Sequence, residues 1–303
     1  MKNIGIITKR SDAMALKASA QLASWLHERG LKVTVSNETA RDAGIDRQVA
    51  DGVPQSKIPV DCDLVVVIGG DGTFIAATRA VGDRDTPLMG INVGRLGFLT
   101  EVAMDKMIST LSMVLEGQFR EEYRTLLDVT VLRAGEEVLK TRVLNDAVVH
   151  KEALARMMEC EIAIDDMFAF STRSDGLILS TPTGSTAYAL SAGGPIIHPA
   201  LDAILLVPIC PHTLANRAIA VPGNNWVTVT LAKDGLDRLL TLDGQAGFAL
   251  FDADKVLVRQ SRRKLRVLHA LDREYFSVLR DKLHWWENPA YRDHESGKNA
   301  STT

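Results

Sequence analysis

The stretch Gly69-Gly70-Asp71-Gly72-Thr73 sets a carboxylate among three glycines, directly after the apolar run Val65 to Ile68. Glycines after a strand let backbone approach a phosphate, and the N–H groups opening a following helix favour anions. A carboxylate in that place repels phosphate by about 4 kcal/mol per charge pair at ~4 Å and an effective dielectric of ~20. Two arrangements remove the conflict. Either a divalent cation lies between the charges, or a substrate hydroxyl gives its proton to the carboxylate as it attacks phosphorus. Both describe phosphoryl transfer to a hydroxyl, with Asp71 as proton acceptor in the second. The plainer alternative is an aspartate that caps its own helix. Neither G-x-x-x-x-G-K-[ST] nor G-x-G-x-x-G is present, because positions 69, 71 and 74 are Gly, Asp and Phe; the missing dinucleotide fingerprint disfavours an oxidoreductase.

A second small-residue run, Thr181-Pro182-Thr183-Gly184-Ser185-Thr186, follows the strand-like Gly176 to Ser180 and leads into Ala187, Tyr188 and Leu190. Its hydroxyls and glycine N–H groups suit the phosphates and sugars of a nucleotide, and Tyr188 offers an adenine a stacking face. A flexible Ser/Thr/Gly linker would read similarly, but an apolar strand leads straight in. His150, His198 and His212 share no metal-ligand spacing, so each is read as a satisfied surface or interface histidine and no resident metal site is expected. Arg95 is a candidate phosphate contact. Asp165-Asp166 reads as a two-residue hairpin turn, and Trp285-Trp286 as packing for the last helix.

The elements that must position these residues follow from hydrophobic period. Residues 3–8, 31–36, 63–68 and 87–92 read as strands, the third apolar at every position after Asp63, as a central parallel strand covered on both faces would be. Between them lie helical patterns: Leu16, Ala20, Ala23 and Leu26 behind an N-cap at Ser11 or Asp12 with Gly30 as C-cap, then residues 73–81 and 104–117. Alternating β and α predicts a doubly wound, mostly parallel sheet over residues 1–118. From 119 to 271 short β-rich runs alternate with turn signals, the texture of an all-β sandwich. Tyr275, Leu279 and Leu283 align on a helix over 272–287 that is expected to pack back on the first domain, ahead of a polar tail at 288–303. Residues 40–61 read as a mobile loop.

The chain closely resembles the NAD kinase family, ATP-dependent NAD 2′-phosphotransferases, in its bacterial form. The resemblance rests on GGDGT at 69–73, GINVGRLGFLTE at 90–101, LNDAVVH at 144–150, RSDGLILSTPTGSTAYALSAGGPIIHP at 173–199 and LDGQ at 242–245. GGDGT alone also resembles the phosphate loops of lipid kinases and phosphofructokinases; the long DGLILSTPTGSTAY run is specific. The resemblance implies an α/β domain, a β-sandwich, a site in the crevice between them and oligomers, dimer or tetramer, built through the β domains. It implies transfer of the γ-phosphate of ATP, with Mg²⁺ or another divalent cation, to the 2′-hydroxyl of the adenosine ribose of NAD. On the same likeness Asp71 is the base and Gly72 lies beside it. Asn145 and Asp146 match an Asn-Glu pair that binds NAD, Asp146 being one methylene shorter. Arg173, Asp175, the run Thr186, Ala187, Tyr188, Ala189, Leu190 and Ser191, and Gln245 surround NAD, and Arg156 falls where the family carries a basic residue near it.

Composition agrees with a small-molecule enzyme. Net charge −3 and a pI near 6.2 supply no basic footprint for nucleic acid or an acidic membrane. Cys62, Cys160 and Cys210 form no C-x-x-C pair and read as reduced, mostly buried thiols. No apolar run reaches the ~30 Å of a bilayer core, and the expected location is the cytoplasm. Two other readings stay open on the residues: a lipid or sugar kinase sharing the glycine loop, and a catalytically silent NAD(P)(H) sensor.

Overall fold

The structure, a computed structural model, describes residues 1–94, 97–152, 156–213, 215–271 and 275–284. Arg95, Trp285, Trp286 and the polar tail lie outside the described residues. The chain divides into two compact units, one of Met1–Glu122 with the segment from Val267 onward, the other of Tyr123–Arg266.

The first unit holds β1 (Asn3–Thr8), α1 (Ala13–His27), β2 (Lys32–Ser36), α2 (Asn37–Asp42), β3 (Asp51–Val53), β4 (Leu64–Gly69), α3 (Asp71–Val81), β5 (Leu88–Asn92), β6 (Val102–Ala103) and α4 (Met107–Leu115). The strands lie parallel in the order β3-β2-β1-β4-β5. Every residue of β4 is buried, which its unbroken apolar run requires of a strand covered on both faces. Chain order reverses between β1 and β4, the kind of point where open α/β sheets bind ligands beyond the carboxyl ends of their strands. Asp12 caps α1, its carboxylate accepting from the N–H groups of Met14 and Ala15, and the buried stripe Ala15, Ala18, Ser19, Leu22, Ala23, Leu26 follows the helical period. Residues 40–61 are not the mobile loop expected. They contain the end of α2, the edge strand β3, which pairs with β2 from Thr34↔Asp51 to Ser36↔Val53, and a 3₁₀ turn at Gln55–Lys57. An edge strand reading Asp-Gly-Val carries no apolar alternation, so its pairing leaves no local trace.

The second unit is a sandwich of β7 (Arg120–Arg133), β8 (Glu136–Val143), β9 (Asp146–Lys151), β10 (Met158–Ile164), β11 (Met167–Ser174), β12 (Gly176–Ser180), the short α5 (Tyr188–Ser191), β13 (Ala203–Ile209), β14 (Ile219–Pro222), β15 (Val227–Leu231), β16 (Arg238–Leu242), β17 (Ala246–Leu250) and β18 (Lys255–His269). One sheet runs β11-β10-β15-β18-β7-β8 and the other β14-β13-β12-β9-β16-β17. Alternate residues of both sheets meet in one core, with Val129, Ile162, Val229 and Val258 facing Val149, Leu179, Leu206 and Leu240. Asp165 and Asp166 form the β10–β11 turn with φ of 50° and 65°, as a two-residue hairpin demands. Cys160 is buried, but Cys210 is exposed just past β13, against the expectation of mostly buried thiols. The last described helix, α6 (Tyr275–Leu283), buries Val278 and Leu279 in the first unit, and its Lys282 ammonium lies 5.9 Å from the ring centre of Phe98. Among the described residues no helix is long and apolar enough to cross a membrane.

Candidate active site

Asp71 opens α3 at the carboxyl end of β4, with Gly70 in the N-cap position. Its carboxylate does not cap its own helix. Oδ2 accepts from the N–H of Phe98 at 2.9 Å, while Oδ1 accepts from the N–H groups of Leu99 (3.0 Å) and Thr100 (3.1 Å) and from the Thr100 hydroxyl (3.1 Å). The aspartate therefore captures three successive amides of a loop 27 to 29 residues away. Asn92, at the end of β5, donates from Nδ2 to Thr100 Oγ1 at 2.8 Å, which leaves the Thr100 proton to go to Asp71. The loop continues into Glu101, whose Oε2 lies 3.0 Å from Nδ1 of the buried His269. Gly97 makes the approach possible, because a Cβ there would overlap Asp71 Oδ1. None of Gly69, Gly70 and Gly72 takes positive φ. A Cβ on Gly69 would collide with the Thr73 side chain, while the side of Gly70 where a Cβ would stand is open. Oδ1 holds three donors and Oδ2 one, so Oδ2 keeps room for another.

In the second unit a cavity of about 610 Å³ opens on the outer face of the six-stranded sheet. The pleat decides its lining: Ala147 and Val149 of β9 point to the sandwich core, and Asp146, Val148 and His150 point outward. Thr241 of β16 and Ile209 of β13 join them from neighbouring strands, while Ala187 and Tyr188 come from the turn after β12. That turn is held down by Thr181, which donates from Oγ1 to the Leu144 carbonyl (2.6 Å) and accepts from Gly184 N–H (3.0 Å). Gly184 lies against the Asn145 carbonyl, where a Cβ would collide.

Asp243 closes the floor in the way Asp71 acts in the first unit. Its carboxylate accepts from the N–H groups of Leu144 (3.1 Å), Asn145 (2.7 Å) and Asp146 (3.2 Å), in a left-handed conformation with φ of 52°. The Asp146 side chain is enclosed, and burial, followed by the nearby Asp243 charge, pushes its carboxyl up to about 7. Asn145 Oδ1 and Thr183 Oγ1 are buried without a hydrogen-bond partner. His150 is satisfied, with Nε2 2.8 Å from Thr241 Oγ1 and Nδ1 3.1 Å from the Lys151 carbonyl, and it lines the cavity on this outer face.

Of the residues singled out from sequence, Asn145, Asp146, Asp175, Ala187 and Tyr188 thus share one cavity. Asp71 and the exposed Gly72 stand in the first unit. Ala189 is fully buried in the packing of Val148, Ile178, Leu205 and Val207, so only its backbone could serve a ligand. Thr186, Leu190 and Ser191 flank the lining residues along the chain, and Gln245 is exposed in the turn whose Gly244 does line the cavity. Arg173 sits exposed on edge strand β11, with Nε 3.9 Å from Glu159, and Arg156 is exposed. Sequence reasoning passed over Lys151, Thr241 and Asp243; Asp243 lies within LDGQ, with Thr241 just before it and Lys151 just after LNDAVVH, but nothing local marks a strand residue as outward-facing over a cavity.

Comparison with known proteins adds the following. Residues 4–119 match the ATP-NAD kinase N-terminal domain family and residues 144–270 the ATP-NAD kinase C-terminal domain family. A relative named NAD kinase from Magnetococcus marinus is 51% identical over 287 residues, covering 95% of each chain. One of the same name from Geobacter sulfurreducens is 45% identical over 287 residues, covering 95% of this chain and all of the relative. Among solved structures, yeast NADH kinase complexed with NADH aligns with a TM-score of 0.86 at 25% identity, over 95% of this chain and 89% of that one. An NAD kinase from Archaeoglobus fulgidus in complex with ATP shares the fold, with a TM-score of 0.72 at 23% identity over 93% and 98% of the two chains.

Proposed function

Because the chain belongs to the NAD kinase family and phosphorylates NAD, we propose that it moves the γ-phosphate of ATP to the 2′-hydroxyl of NAD's adenosine ribose, with Asp71 taking that hydroxyl's proton. One observation carries the role of Asp71: its carboxylate is locked by four donors at the ligand edge of the sheet, yet Oδ2 accepts only one of them. The hydroxyl proton passes to Oδ2, the oxygen attacks the γ-phosphorus, the bond to the β-phosphate breaks, and ADP and NADP⁺ leave. Opening amides of α3 and the glycines before it receive phosphate oxygens. A divalent cation, Mg²⁺ in this reading, arrives on ATP as part of that substrate and offsets its charge; among the described residues no three His, Cys, Asp or Glu side chains cluster to hold a metal ion.

The cavity of the second unit receives NAD. Its orphaned Asn145 Oδ1 suits a donor such as the adenine amino group or a ribose hydroxyl, and the half-exposed Tyr188 suits the base. Asp175, Thr186, Ala187, Ala189, Leu190, Ser191 and Gln245 complete the surroundings, with Arg156, Arg173 and Gly72 as further contacts. The reading extends to a cytoplasmic homo-oligomer, dimer or tetramer. It is supported by the end-of-sheet strand β11, which exposes Met167 and Phe168.

Purified protein given ATP, Mg²⁺ and NAD should yield NADP⁺. Asp71→Asn should bind NAD as the parent does while kcat falls by about 10²-fold or more. An Asn variant with full turnover removes Asp71 as the base.

A further inference from the structure

The cavity of the second unit has one side chain of fixed positive charge, Lys151, among its lining residues. Its ammonium lies 2.7 Å from Asp175 Oδ1 and is largely buried, the side chain being 16% exposed against 40% for its partner. Lys151 N–H also donates to the Asp175 carbonyl at 3.2 Å, so the base of the side chain is anchored independently of its charge. An ammonium has three donors, and Asp175 accounts for one. The Asp243 carboxylate is already held by three amides, and both His150 nitrogens by Thr241 and the Lys151 carbonyl. A dinucleotide brings a diphosphate into a cavity whose lining also carries the carboxyls of Asp146, Asp175 and Asp243. Without a cation there, that diphosphate would meet net repulsion.

We propose that Lys151 contacts the phosphate groups of the bound dinucleotide, with Asp175 holding its ammonium in the cavity. The inference rests on the reading that this cavity holds NAD. Partial desolvation strengthens the contact, because an ammonium with little water around it gains more from an incoming anion than an exposed one does. The competing account makes the Lys151–Asp175 pair a latch between the end of β9 and the start of β12, with no part in ligand binding.

Calorimetry on the full-length protein separates the two, using NAD, AMP and the phosphate-free adenosine as probes. Lys151→Met keeps the stem and removes the charge. It should weaken NAD and AMP about ten- to hundredfold, the value of a charge-assisted hydrogen bond, and leave adenosine unchanged. KM for NAD should rise in proportion while kcat holds, and Lys151→Arg should restore the preference for AMP over adenosine. Should Lys151→Met fail to fold, Lys151→Gln, which keeps a donor for Asp175, gives the same comparison. Equal losses for AMP and adenosine, or an unchanged AMP affinity, overturn the proposal in favour of the latch. Asn145→Ala serves as the control on the cavity itself. If it leaves NAD affinity intact, the cavity assignment falls and the role of Lys151 with it; if it weakens NAD while Lys151→Met does not, only Lys151 is misassigned.

Discussion

Asp71 and Asp243 solve the same problem in two unrelated folds. Each carboxylate gathers three consecutive backbone N–H groups, of Phe98 to Thr100 and of Leu144 to Asp146, and so fixes the loop after β5 in one case and the β8–β9 connection in the other. Charge-assisted bonds of this kind are worth roughly twice a neutral one, which is why a single side chain suffices. Asp146 is affected by the second. Enclosed and close to the Asp243 charge, it titrates near 7 in the folded chain against 3.8 in the reference state. The folded protein therefore holds a proton that the unfolded chain has released. Stability from this group is complete below the unfolded value and is lost as pH rises through about 7. Asp146→Asn should abolish that slope. Its Tm should exceed the parent's at pH 8 by several degrees, at about 2–4 °C per kcal/mol, and the gap should narrow as pH falls toward the unfolded value of 3.8. Parallel Tm curves across this range would contradict the burial of an ionisable carboxyl at this place.

At the scale of elements, the site depends on loops seated against strand ends. The segment after β5 folds back so that Thr100 meets both Asn92 and Asp71, and Gly97 lies where any Cβ would displace the carboxylate. Gly97→Ala should thus misplace Asp71 without touching the nucleotide cavity of the other unit. We expect kcat to drop by about 10²-fold, the cost of misplacing a catalytic group by ~1 Å, while the dissociation constant for NAD holds. Unchanged kcat in this variant would show that the loop yields and that the carboxylate does not need it. The cavity is likewise a property of the pleat. Shifting β9 by one residue would send Asp146, Val148 and His150 into the sandwich core and bring Ala147 and Val149 out.

The whole molecule is built so that its first unit is discontinuous in sequence. β18 begins as a strand of the sandwich, beside β15, and ends in the first unit, where Val267 pairs with Leu88 and Leu268 joins the core around Met89 and Ile91. The chain's return is therefore part of the first unit's core. Leu268→Ala should destabilise that unit by about 2–5 kcal/mol, as for other fully buried leucines. Urea unfolding followed by a probe in the first unit would show the shift, and an unmoved midpoint would mean that the unit closes without its last segment.

The amino-acid sequence by itself determined the alternation of β and α up to Gly117, the sandwich texture after it, the two-residue turn at Asp165-Asp166, and the presence of a carboxylate in a glycine loop at the end of a buried strand. These are local properties, written in periods of 2.0 and 3.6 residues and in turn chemistry. Only the tertiary structure decided what Asp71 binds, since Phe98 to Thr100 stand 27 to 29 residues away and no period connects them. It also decided that β3 pairs despite an Asp-Gly-Val sequence, and that Lys151, Thr241 and Asp243 share a cavity with Asn145 and Tyr188. Such meetings depend on strand order and register, which arise when separate stretches of chain bury their apolar faces together.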